Sequence, residues 1–599
     1  MLLLLGAGAL LVLGYIFYGG YLAKQWGIDP DRPTPAHEME DGVDYVAAPP
    51  YVVLGHHFSS IAGAGPINGP IQASIFGWLP VALWVILGGI FMGAMHDFGS
   101  LFASLRHKGQ TLASVVSKNI DDTAKRLFIV FAYLTLVLVV AAFASIVANT
   151  FAVGLENQTE AAALANSRTA MISVLFIVAA VIWGLATRGR QLPAVANIVA
   201  AIVVIVAVIA IGFNFPVIQL GYKTWMIIIG IYILIASVAP VWILLQPRDY
   251  LSSYLLYGMI IMAVVAILGA SIMGAASHLD IPMFRGFVTN NLAFDAATGE
   301  ALVDEAGAAV VNKAAQGGFL FPALFVTIAC GAISGFHSLV ASGTTSKQLD
   351  RESQAKPIAY GGMLLESFLA IISLIAVGYV WTQYAAGEFA SPTAIFAGGL
   401  SQMLGTIPGL SSETVTGLAY SLLILAVSAF CLTSLDTATR LARYMFQEFF
   451  TPTGQSADQL TGVRLVMANK WVATIITVAV GVALGLGGYS IVWPLFGAAN
   501  QLLAALALLA VAAWLANAGK NNKMFYFPMV FMLAVTLTSL GISIYQRFGV
   551  MLQGGTDAMP MLNATLQTVI AVILFVLALV LAVKGAKVIF GKKEAAQQA

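Results

Sequence analysis

The sequence predicts an all-α protein that crosses a membrane many times and has two inverted repeats at its core. Three observations lead to this fold class. Of the 599 residues, 60% are hydrophobic and only 9% are charged, with a mean hydropathy of +0.90. Apolar runs long enough to span a bilayer recur along the whole chain. Two of these runs are interrupted by small residues and proline at corresponding positions of two groups of spans, which is typical of inverted-repeat membrane proteins.

The apolar runs define the predicted elements. Fifteen runs have the length of a membrane-spanning helix: 2–22, 50–76, 79–104, 127–153, 169–187, 192–213, 225–246, 251–277, 317–345, 357–383, 415–437, 470–487, 492–516, 525–545 and 563–585. We predict one extra N-terminal helix at 1–22 and two five-helix repeats, at 50–213 and 225–437. About four extra helices and a short tail follow at 470–599.

The distribution of lysine and arginine predicts the orientation of these spans. Basic residues are enriched in cytoplasmic loops. If the N-terminus lies outside, all but five of the 28 basic residues fall on the inner side. The odd number of spans agrees with this orientation and places the C-terminus in the cytoplasm.

Composition and motifs exclude several classes of function. The net charge of +1 and the scattered basic residues exclude a nucleic-acid-binding surface. Cys330 and Cys431 lie in apolar runs and are interpreted as packing residues. Neither a Walker A motif nor a His-Glu-x-x-His motif is present. We expect no enzymatic activity, no cofactor and no metal site, and we disfavour an ion channel or a membrane metalloenzyme.

The first interruption lies inside the run 50–76. Five helix breakers fall within eight residues there: Gly63, Gly65, Pro66, Gly69 and Pro70. Unwound backbone is tolerated at membrane depth only where protein buries it or where it lines a cavity. We therefore predict a discontinuous helix at a transport site, with carbonyls near Ala62 for a cation and amides of Ile67 and Asn68 for a carboxylate.

A second interruption is predicted in the run 225–246, where small residues precede a proline: Ala236, Ser237, Val238, Ala239 and Pro240. Paired interrupted segments mark the binding site of inverted-repeat transporters. We therefore expect Ser237 and Ala239 to contribute to the same substrate site as Gly63 and Gly65.

Three sequence blocks carry a family resemblance. They are Gly55-His56-His57-Phe58 with Gly63 to Pro70, Gln246-Pro247-Arg248-Asp249-Tyr250, and Gly331 to Gln348. These blocks resemble the signatures of the carbon starvation protein A (CstA) family. The resemblance implies a LeuT-like fold of the amino acid-polyamine-organocation superfamily and a carrier of peptides or pyruvate in the inner membrane. It also implies proton coupling, as in the pyruvate carriers of the family.

Ionisable side chains inside the spans are functional candidates because their burial in lipid is costly. His56 and His57 precede the first interruption, and adjacent helical residues point about 100° apart, so one of them can face the cavity. Either histidine could carry a proton or hold a carboxylate, and packing is the alternative. We assign His337 to the substrate site. Glu366 lies ten residues into its run, where burial favours the neutral acid that a proton carrier needs; a structural hydrogen bond is the alternative.

Other polar residues are predicted to gate the site on its inner side, with a scaffold role or an ordinary solvated loop pair as the alternatives. His96 and Asp97 lie two-thirds along the run 79–104 and are expected to pair with each other or with a basic group. Arg248 and Asp249 follow the second predicted interruption. Asp436 is the expected partner of Arg248.

Sodium is the alternative to the proton as the coupling ion. The LeuT-like resemblance implies that hydroxyls of the eighth core helix form a sodium site beside the first interrupted helix. We count the run 317–345 as this helix. Ser342 and Thr345 share one helical face there and are expected to reach the carbonyls near Ala62.

The sequence thus predicts an ion-coupled importer of a small carboxylate-bearing solute. Its partners are this solute and membrane lipids, and the oligomeric state stays open. We interpret the outer loop 278–316 as mobile in preference to a cover over the outer mouth. We interpret the block Trp493–Gln501 as a packing element of the scaffold or of an oligomer interface.

Overall fold

The computed structural model describes residues 1–42, 45–155, 158–187, 194–239, 244–304, 307–451, 459–552 and 558–590. Almost all of the ordered structure in this part of the chain is helical. Eleven of the described helices are long and apolar enough to cross a membrane. The predicted all-α, polytopic fold class is therefore confirmed.

In the described residues, thirteen α-helices precede the long loop that follows Ile272. These are α1 Leu2–Leu13, α2 Gly19–Trp26, α3 Pro35–Glu38, α4 Pro50–Ile61, α5 Gly65–Ala73, α6 Trp78–Leu83, α7 Ala94–Arg106, α8 Leu112–Asn119, α9 Asp122–Phe151, α10 Glu160–Thr187, α11 Ala194–Asn214, α12 Tyr222–Val238 and α13 Leu245–Ile272. Wider π-helical turns, Gly14–Tyr18 and Trp84–Gly93, join α1 to α2 and α6 to α7.

The remaining elements follow in the same way. They are β1 Val288–Thr289, β2 Gly318–Phe319, α14 Leu320–Thr327, α15 Gly335–Gly343, α16 Gly361–Tyr379, α17 Trp381–Ala385, α18 Pro392–Gly405, α19 Glu413–Phe450, α20 Gly462–Met467, α21 Lys470–Gly485, α22 Tyr489–Asn517, α23 Tyr526–Leu552 and α24 Ala558–Phe590. A π-helical turn, Lys356–Tyr360, precedes α16, and short 3₁₀ turns cover Ser74–Phe76, Thr345–Lys347, Glu352–Gln354 and Lys523–Phe525.

Each of the fifteen predicted spans corresponds to helical structure. Eleven correspond to the long helices. The runs 225–246 and 470–487 correspond to the shorter apolar helices α12 and α21. The runs 50–76 and 317–345 each correspond to two short helices separated by non-helical backbone.

The first interrupted helix consists of α4 and α5. The α4 helix ends at Ile61, and Ala62 leaves the helical region with φ −77° and ψ 67°. The α5 helix begins at Gly65 with Pro66 in its first turn, where a missing amide hydrogen costs nothing. The predicted discontinuity is therefore present, and it occupies three residues, 62–64.

The second interrupted helix consists of α14 and α15, with non-helical backbone at 328–334. We had predicted the partner interruption at 236–240 instead. There α12 ends at Val238 with Ala239 in an extended conformation, and Pro240 lies outside the described residues. The next helix, α13, is a separate long span, so the structure corrects the position of the second interruption.

The two interrupted helices pack against each other through glycines. A Cβ atom on Gly65 would lie 2.4 Å from the Cys330 sulfur, and one on Gly69 would lie 2.8 Å from the Thr327 carbonyl oxygen. Such distances are too short for any side chain, so the glycines permit the close backbone approach. Contact between two interrupted helices is the arrangement that the LeuT-like prediction requires.

The second interruption is stabilised by the block Trp493–Gln501 on α22. The Asn500 side chain donates to the Ala329 carbonyl at 2.9 Å and accepts from the Phe336 amide at 2.8 Å. Gln501 donates to the Ile328 carbonyl at 2.9 Å. Buried backbone groups need such partners because water cannot reach them. The block therefore packs against the second interruption and supplies hydrogen bonds to its backbone.

The described residues of the loop between α13 and α14, for which we had predicted mobility, contain paired strands and hydrogen bonds to the helices. Strands β1 and β2 pair at its base. The Trp78 amide donates to the Pro282 carbonyl, and the Gln316 amide donates to the Gln72 carbonyl. Arg285 lies over the Phe294 ring at 3.7 Å. The loop therefore covers the end of α5 and the start of α6.

Candidate functional site

The candidate site lies where the two interrupted helices meet α16. A Cβ atom on Gly331 would lie 2.6 Å from the Ala370 methyl group and 3.6 Å from the Pro66 Cα atom. The connection between α14 and α15 is therefore wedged between α5 and α16. Glu366 lies one turn before Ala370 on α16, and its side chain has no solvent exposure. The carboxyl group is thus enclosed by the elements that form the two interruptions.

A chain of four ionisable side chains crosses this site. His96 Nδ1 lies 2.7 Å from Asp97 Oδ1, and His337 Nδ1 lies 2.8 Å from Asp97 Oδ2. On the other side of the imidazole, His337 Nε2 lies 3.2 Å from Glu366 Oε2. All four side chains have 0% exposure. The chain connects α7, α15 and α16, and it places one imidazole between two carboxyl groups.

Several polar atoms at this site have no hydrogen bond to the described residues. His57 Nε2 and the two carboxyl oxygens of Glu366 each lack such a hydrogen bond. The other ring nitrogen of His57, Nδ1, lies 2.8 Å from the Thr345 hydroxyl. A Cβ atom on Gly362 would lie 3.8 Å from His57 Nε2, and Glu366 follows one helical turn later on α16. Unsatisfied buried polar atoms are costly, and these three lie where the two interrupted helices meet α16.

One group of donors at this site comes close enough to hold a metal ion. Among the described residues, Cys330, His337 and Glu366 offer donor atoms that all lie within 4.8 Å of one another. Sulfur, nitrogen and oxygen donors of this kind suit zinc. We had expected no metal site, and the position of Cys330 had been interpreted as packing alone. Because His337 already pairs with Glu366, we interpret the group as part of the ion-pair chain.

A second ionic network lies at the ends of α12 and α13. Arg248 donates to Asp436 and to the Tyr232 hydroxyl. Its neighbour Asp249 pairs with His56 Nδ1 at 3.0 Å. Arg248 and Asp436 are 2% and 0% exposed. The network therefore joins α4, α12, α13 and α19 by charges that are shielded from water.

Comparisons with known proteins show the family of this chain. The model of the family described as carbon starvation protein CstA matches residues 1–388 and 380–539. The chain belongs to the CstA family. The peptide transporter CstA of Escherichia coli (strain K12) is 33% identical over 595 residues, which cover 88% of this chain and 79% of the relative.

Two further similarities extend this comparison. The pyruvate/proton symporter BtsT of Escherichia coli (strain K12) is 29% identical over 612 residues, with 89% of this chain and 80% of the relative covered. Among solved structures, the Eremococcus coleocola manganese transporter in complex with an aromatic bis-isothiourea substituted compound has a TM-score of 0.48 and 11% identity. That match covers 92% of this chain and 99% of the other.

The three CstA-family blocks meet at the two networks. The first block supplies His56 and His57, and the third supplies His337 and Thr345. The second block supplies Arg248, whose pairing with Asp436 was predicted and is observed. His96 and Asp97 pair with each other, as one of the two predicted alternatives stated. They belong to the central chain with His337, however, and not to the network of Arg248.

The predicted sodium ligands Ser342 and Thr345 have other partners. The Ser342 hydroxyl donates to the Ser338 carbonyl and accepts from the Leu112 amide, and Thr345 contacts His57. The hydroxyl beside the first interruption belongs to Ser434 on α19, which donates to the Ser60 carbonyl at 3.0 Å. The run 317–345, which we had counted as the eighth core helix, forms the second interrupted helix instead.

The amides expected to bind a carboxylate are partly occupied. The Ile67 and Asn68 amides both donate to the Ala64 carbonyl, at 3.2 and 2.8 Å. The Asn68 side chain accepts from the Thr393 hydroxyl. Among the amides of this first turn, that of Gly65 is the candidate left for a ligand, because Pro66 has none.

The end of α12 is held by a residue that the sequence interpretation missed. Arg440 donates to the Ala236 and Ala239 carbonyls at 3.0 and 2.7 Å. The Ser237 hydroxyl is buried without a hydrogen bond to the described residues. Ser237 and Ala239 are thus placed next to α19, and their predicted role in substrate binding stays a prediction.

Sequence reasoning also missed Cys330, Ser434 and Tyr232. Cys330 immediately precedes the third CstA-family block, and Ser434 lies two residues before Asp436. Both residues therefore lie next to residues that the sequence analysis had singled out. Tyr232 lies in an apolar run without such a signal, and only the packing of α12 against α19 brings it to Arg248.

Proposed function

We propose that this protein imports a small carboxylate-bearing solute, a short peptide or a pyruvate-like acid, by proton-coupled secondary active transport. Its relatives are named as peptide transporters and as a pyruvate/proton symporter. We place it in the inner membrane with the N-terminus outside and the C-terminus in the cytoplasm. This orientation rests on the distribution of lysine and arginine.

The observation that supports this proposal best is Glu366 at the meeting point of the two interrupted helices. A carboxyl group inside a membrane protein is costly and therefore a functional candidate. Both oxygens of Glu366 lack a hydrogen bond to the described residues, and His337 Nε2 lies 3.2 Å away. Such a group can take up a proton on one side of the membrane and release it on the other when the interrupted helices rearrange.

We assign the solute carboxylate to His57 and to the Gly65 amide. His57 Nε2 is buried and faces the same stripe of α16 as Glu366. Gly65 opens α5, where the helix dipole favours a negative charge. The solute and the proton would then occupy adjacent positions, which is a requirement for coupling their movements.

Uptake by purified protein in proteoliposomes tests this proposal. Labelled pyruvate and a labelled dipeptide are each offered with a proton gradient, a sodium gradient or no gradient. We expect saturable accumulation of one solute under the proton gradient. Glu366→Gln mimics the protonated acid and should retain exchange of solute while losing proton-driven accumulation.

The matched control for Glu366→Gln is Ser373→Ala. Ser373 is buried on the same helix, and its hydroxyl donates to the Leu369 carbonyl one turn earlier. We expect this variant to accumulate solute like the wild type. Accumulation by Glu366→Gln at the wild-type level, with the control unaffected, would refute the proposed role of Glu366.

Sodium coupling is the second candidate, and Ser434 favours it. Its hydroxyl lies 3.0 Å from the Ser60 carbonyl beside the first interruption. The hydroxyls of Ser60 and Thr437 are buried without a hydrogen bond to the described residues. Oxygen donors alone suit a hard cation. Accumulation driven by sodium and abolished by Ser434→Ala would establish this candidate in place of the proton.

A further inference from the structure

We propose that Cys330, His337 and Glu366 form a binding site for a divalent transition-metal ion of the zinc class, and that a bound ion stops transport. The blocking role rests on the proposed function, because it concerns the carboxyl group that would carry the proton. The binding site itself does not depend on that function. Without a metal ion, the same side chains belong to the ion-pair chain of the candidate site.

The three donor atoms already lie near the spacing of a metal site. They come from the connection between α14 and α15, from α15 and from α16, and all lie within 4.8 Å of one another. Zinc binds nitrogen and oxygen at about 2.0–2.2 Å and sulfur at about 2.3 Å, so the donors of a tetrahedral site are about 3.3–3.8 Å apart. His337 Nε2 and Glu366 Oε2 are 3.2 Å apart. Side-chain shifts of about 1 Å therefore bring all three donors to zinc-binding distances.

The nitrogen and oxygen donors of this group have no other use in the described residues. His337 Nε2 and both carboxyl oxygens of Glu366 are buried without a hydrogen bond to that part of the chain. Although Nε2 and Oε2 are close, they are not aligned as a hydrogen bond. Burial of such polar atoms without partners costs free energy. One metal ion would give a partner to the imidazole and to the carboxylate at the same time.

Neighbouring side chains orient the donors as they do around metal ions. His337 Nδ1 lies 2.8 Å from Asp97 Oδ2. A carboxylate on the far nitrogen is the usual partner of a metal-binding histidine, because it fixes the ring and makes the other nitrogen a better ligand. Cys330 Sγ lies 3.6 Å from the Ser334 hydroxyl and 3.9 Å from Asn500 Nδ2. An N–H group this close to the sulfur can donate to the thiolate, which is the form of cysteine that binds a metal.

The set of donors selects the class of ion. Magnesium, calcium and sodium prefer oxygen ligands, whereas a thiolate beside an imidazole favours zinc and ions of similar chemistry. Three protein ligands leave the fourth position of a tetrahedral site for water or for an oxygen of the solute. The site therefore differs in its chemistry from the hydroxyl and carbonyl oxygens near Ser434, which suit a hard cation.

A bound ion would oppose the proposed transport in two ways. A metal ion on the carboxylate of Glu366 keeps this group ionised, so it cannot take up the transported proton. Bonds from the same ion to Cys330 and His337 also tie the second interrupted helix to α16. The rearrangement of the interrupted helices, which transport requires, would then have to break these bonds. The metal and the proton-driven cycle are therefore mutually exclusive.

Metal titration of the purified protein, after a chelator has removed any bound metal, tests the binding site. Cobalt(II) is the probe, because its bond to a thiolate absorbs in the near ultraviolet and its bonds to imidazole or carboxylate do not. We expect one cobalt ion per chain with this band, and zinc should displace it. Cys330→Ser should lose the band. The matched control is Cys431→Ser, since Cys431 is the other cysteine of the chain and is buried on α19; it should keep the band and the affinity of the wild type.

Two further variants cover the case in which Cys330→Ser does not fold. Asp97→Asn changes the partner of His337 Nδ1 and should weaken binding by about ten- to hundredfold, the loss typical when such a partner is removed. Glu366→Gln removes a charged ligand and should weaken binding by at least about as much. Both variants should keep the thiolate band at saturating cobalt. Unchanged affinity in both of them would overturn the binding site.

Uptake into proteoliposomes tests the blocking role. Proton-driven accumulation of the solute is measured with zinc and with a chelator, and the ratio is taken within each variant so that differences in basal uptake cancel. We expect zinc to abolish accumulation by the wild type and by Cys431→Ser. Accumulation by Cys330→Ser should be the same with zinc as with the chelator.

The remaining outcomes separate this inference from the proposed function. Metal binding that depends on Cys330, in a protein that transports neither solute, would refute the proposed function and retain the metal site. No thiolate band with cobalt, or a band that persists in Cys330→Ser, would overturn the metal site and leave the proposed function intact. Equal inhibition of the wild type and of Cys330→Ser by zinc would overturn the blocking role.

Discussion

Replacing Asp436 with leucine removes the main charge partner of a buried guanidinium. Arg248 is 2% exposed and donates to Asp436 and to Tyr232. In the variant, the charge partner left in the network is Asp249, whose Oδ1 atom lies 3.4 Å from the guanidinium. The Tyr232 hydroxyl also loses its acceptor on Asp436.

The expected loss in the free energy of unfolding follows from the removal of this charge partner. Breaking a buried ion pair from one side typically costs about 3–5 kcal/mol, because the other charge stays buried. Replacing both partners by apolar residues avoids that penalty and is often nearly neutral. We therefore expect Asp436→Leu to lower the free energy of unfolding by about 3–5 kcal/mol. The double variant that also carries Arg248→Met should recover most of this loss.

The assay is a double-mutant cycle on unfolding of the detergent-solubilised protein. Thr439→Ala is the matched control, because Thr439 is buried on the same helix and donates to the Leu435 carbonyl one turn earlier. An interaction energy below about 0.5 kcal/mol between the two substitutions would refute the reasoning. If the stable double variant also fails to transport solute, the network serves gating in addition to stability.

Three further predictions concern other parts of the fold. Asn500→Ala removes the partner of the Ala329 carbonyl in the second interruption and of the Phe336 amide in the first turn of α15, so thermal unfolding should reveal a loss of about 2–5 kcal/mol in the free energy of unfolding. Gly69→Ala places a Cβ atom 2.8 Å from the backbone of the other interrupted helix and should reduce both stability and uptake. Gly417→Ala is the control, because a Cβ atom there meets open space, and it should leave stability and uptake unchanged. The Lys584 ammonium, 2.7 Å away, and nearby amides lower the pKa of Asp121 from its ordinary 3.8. The stability from Asp121 is therefore fully present above pH 3.8 and is lost as the pH falls through the lowered pKa. Asp121→Asn should be less stable than wild type at pH 6, by about 0.5 kcal/mol or less because the pair is exposed. Unfolding measured at a series of acid pH values should show this difference shrinking as the pH falls below 3.8.

Much of the candidate site could be predicted from local sequence signals. The cluster of glycine and proline at 63–70 indicated the first interruption, since these residues lower the cost of leaving the helix. His57, His337 and Glu366 stood out because ionisable groups are rare in apolar runs. The pairing of Arg248 with Asp436 followed from opposite charges at the same predicted depth.

The second interruption could not be predicted in the same way. The stretch 328–334 contains Gly331 and no proline, and it looks like an ordinary apolar helix with small residues. Its backbone groups leave the helix because Asn500 and Gln501, more than 160 residues away, supply replacement hydrogen bonds. A local pattern carries no information about such distant partners.

The sequence by itself determined the membrane class, the positions of the spans and the identity of the buried ionisable residues, because these depend on hydropathy and on the cost of burying charge. The tertiary structure alone decided which interrupted helices meet, that Asp97 belongs to the site of His337 and Glu366, and that Ser434 and not Ser342 lies beside the first interruption. These facts depend on contacts between helices that are far apart in the chain, where the close approach of glycines and the pairing of buried polar groups select one arrangement.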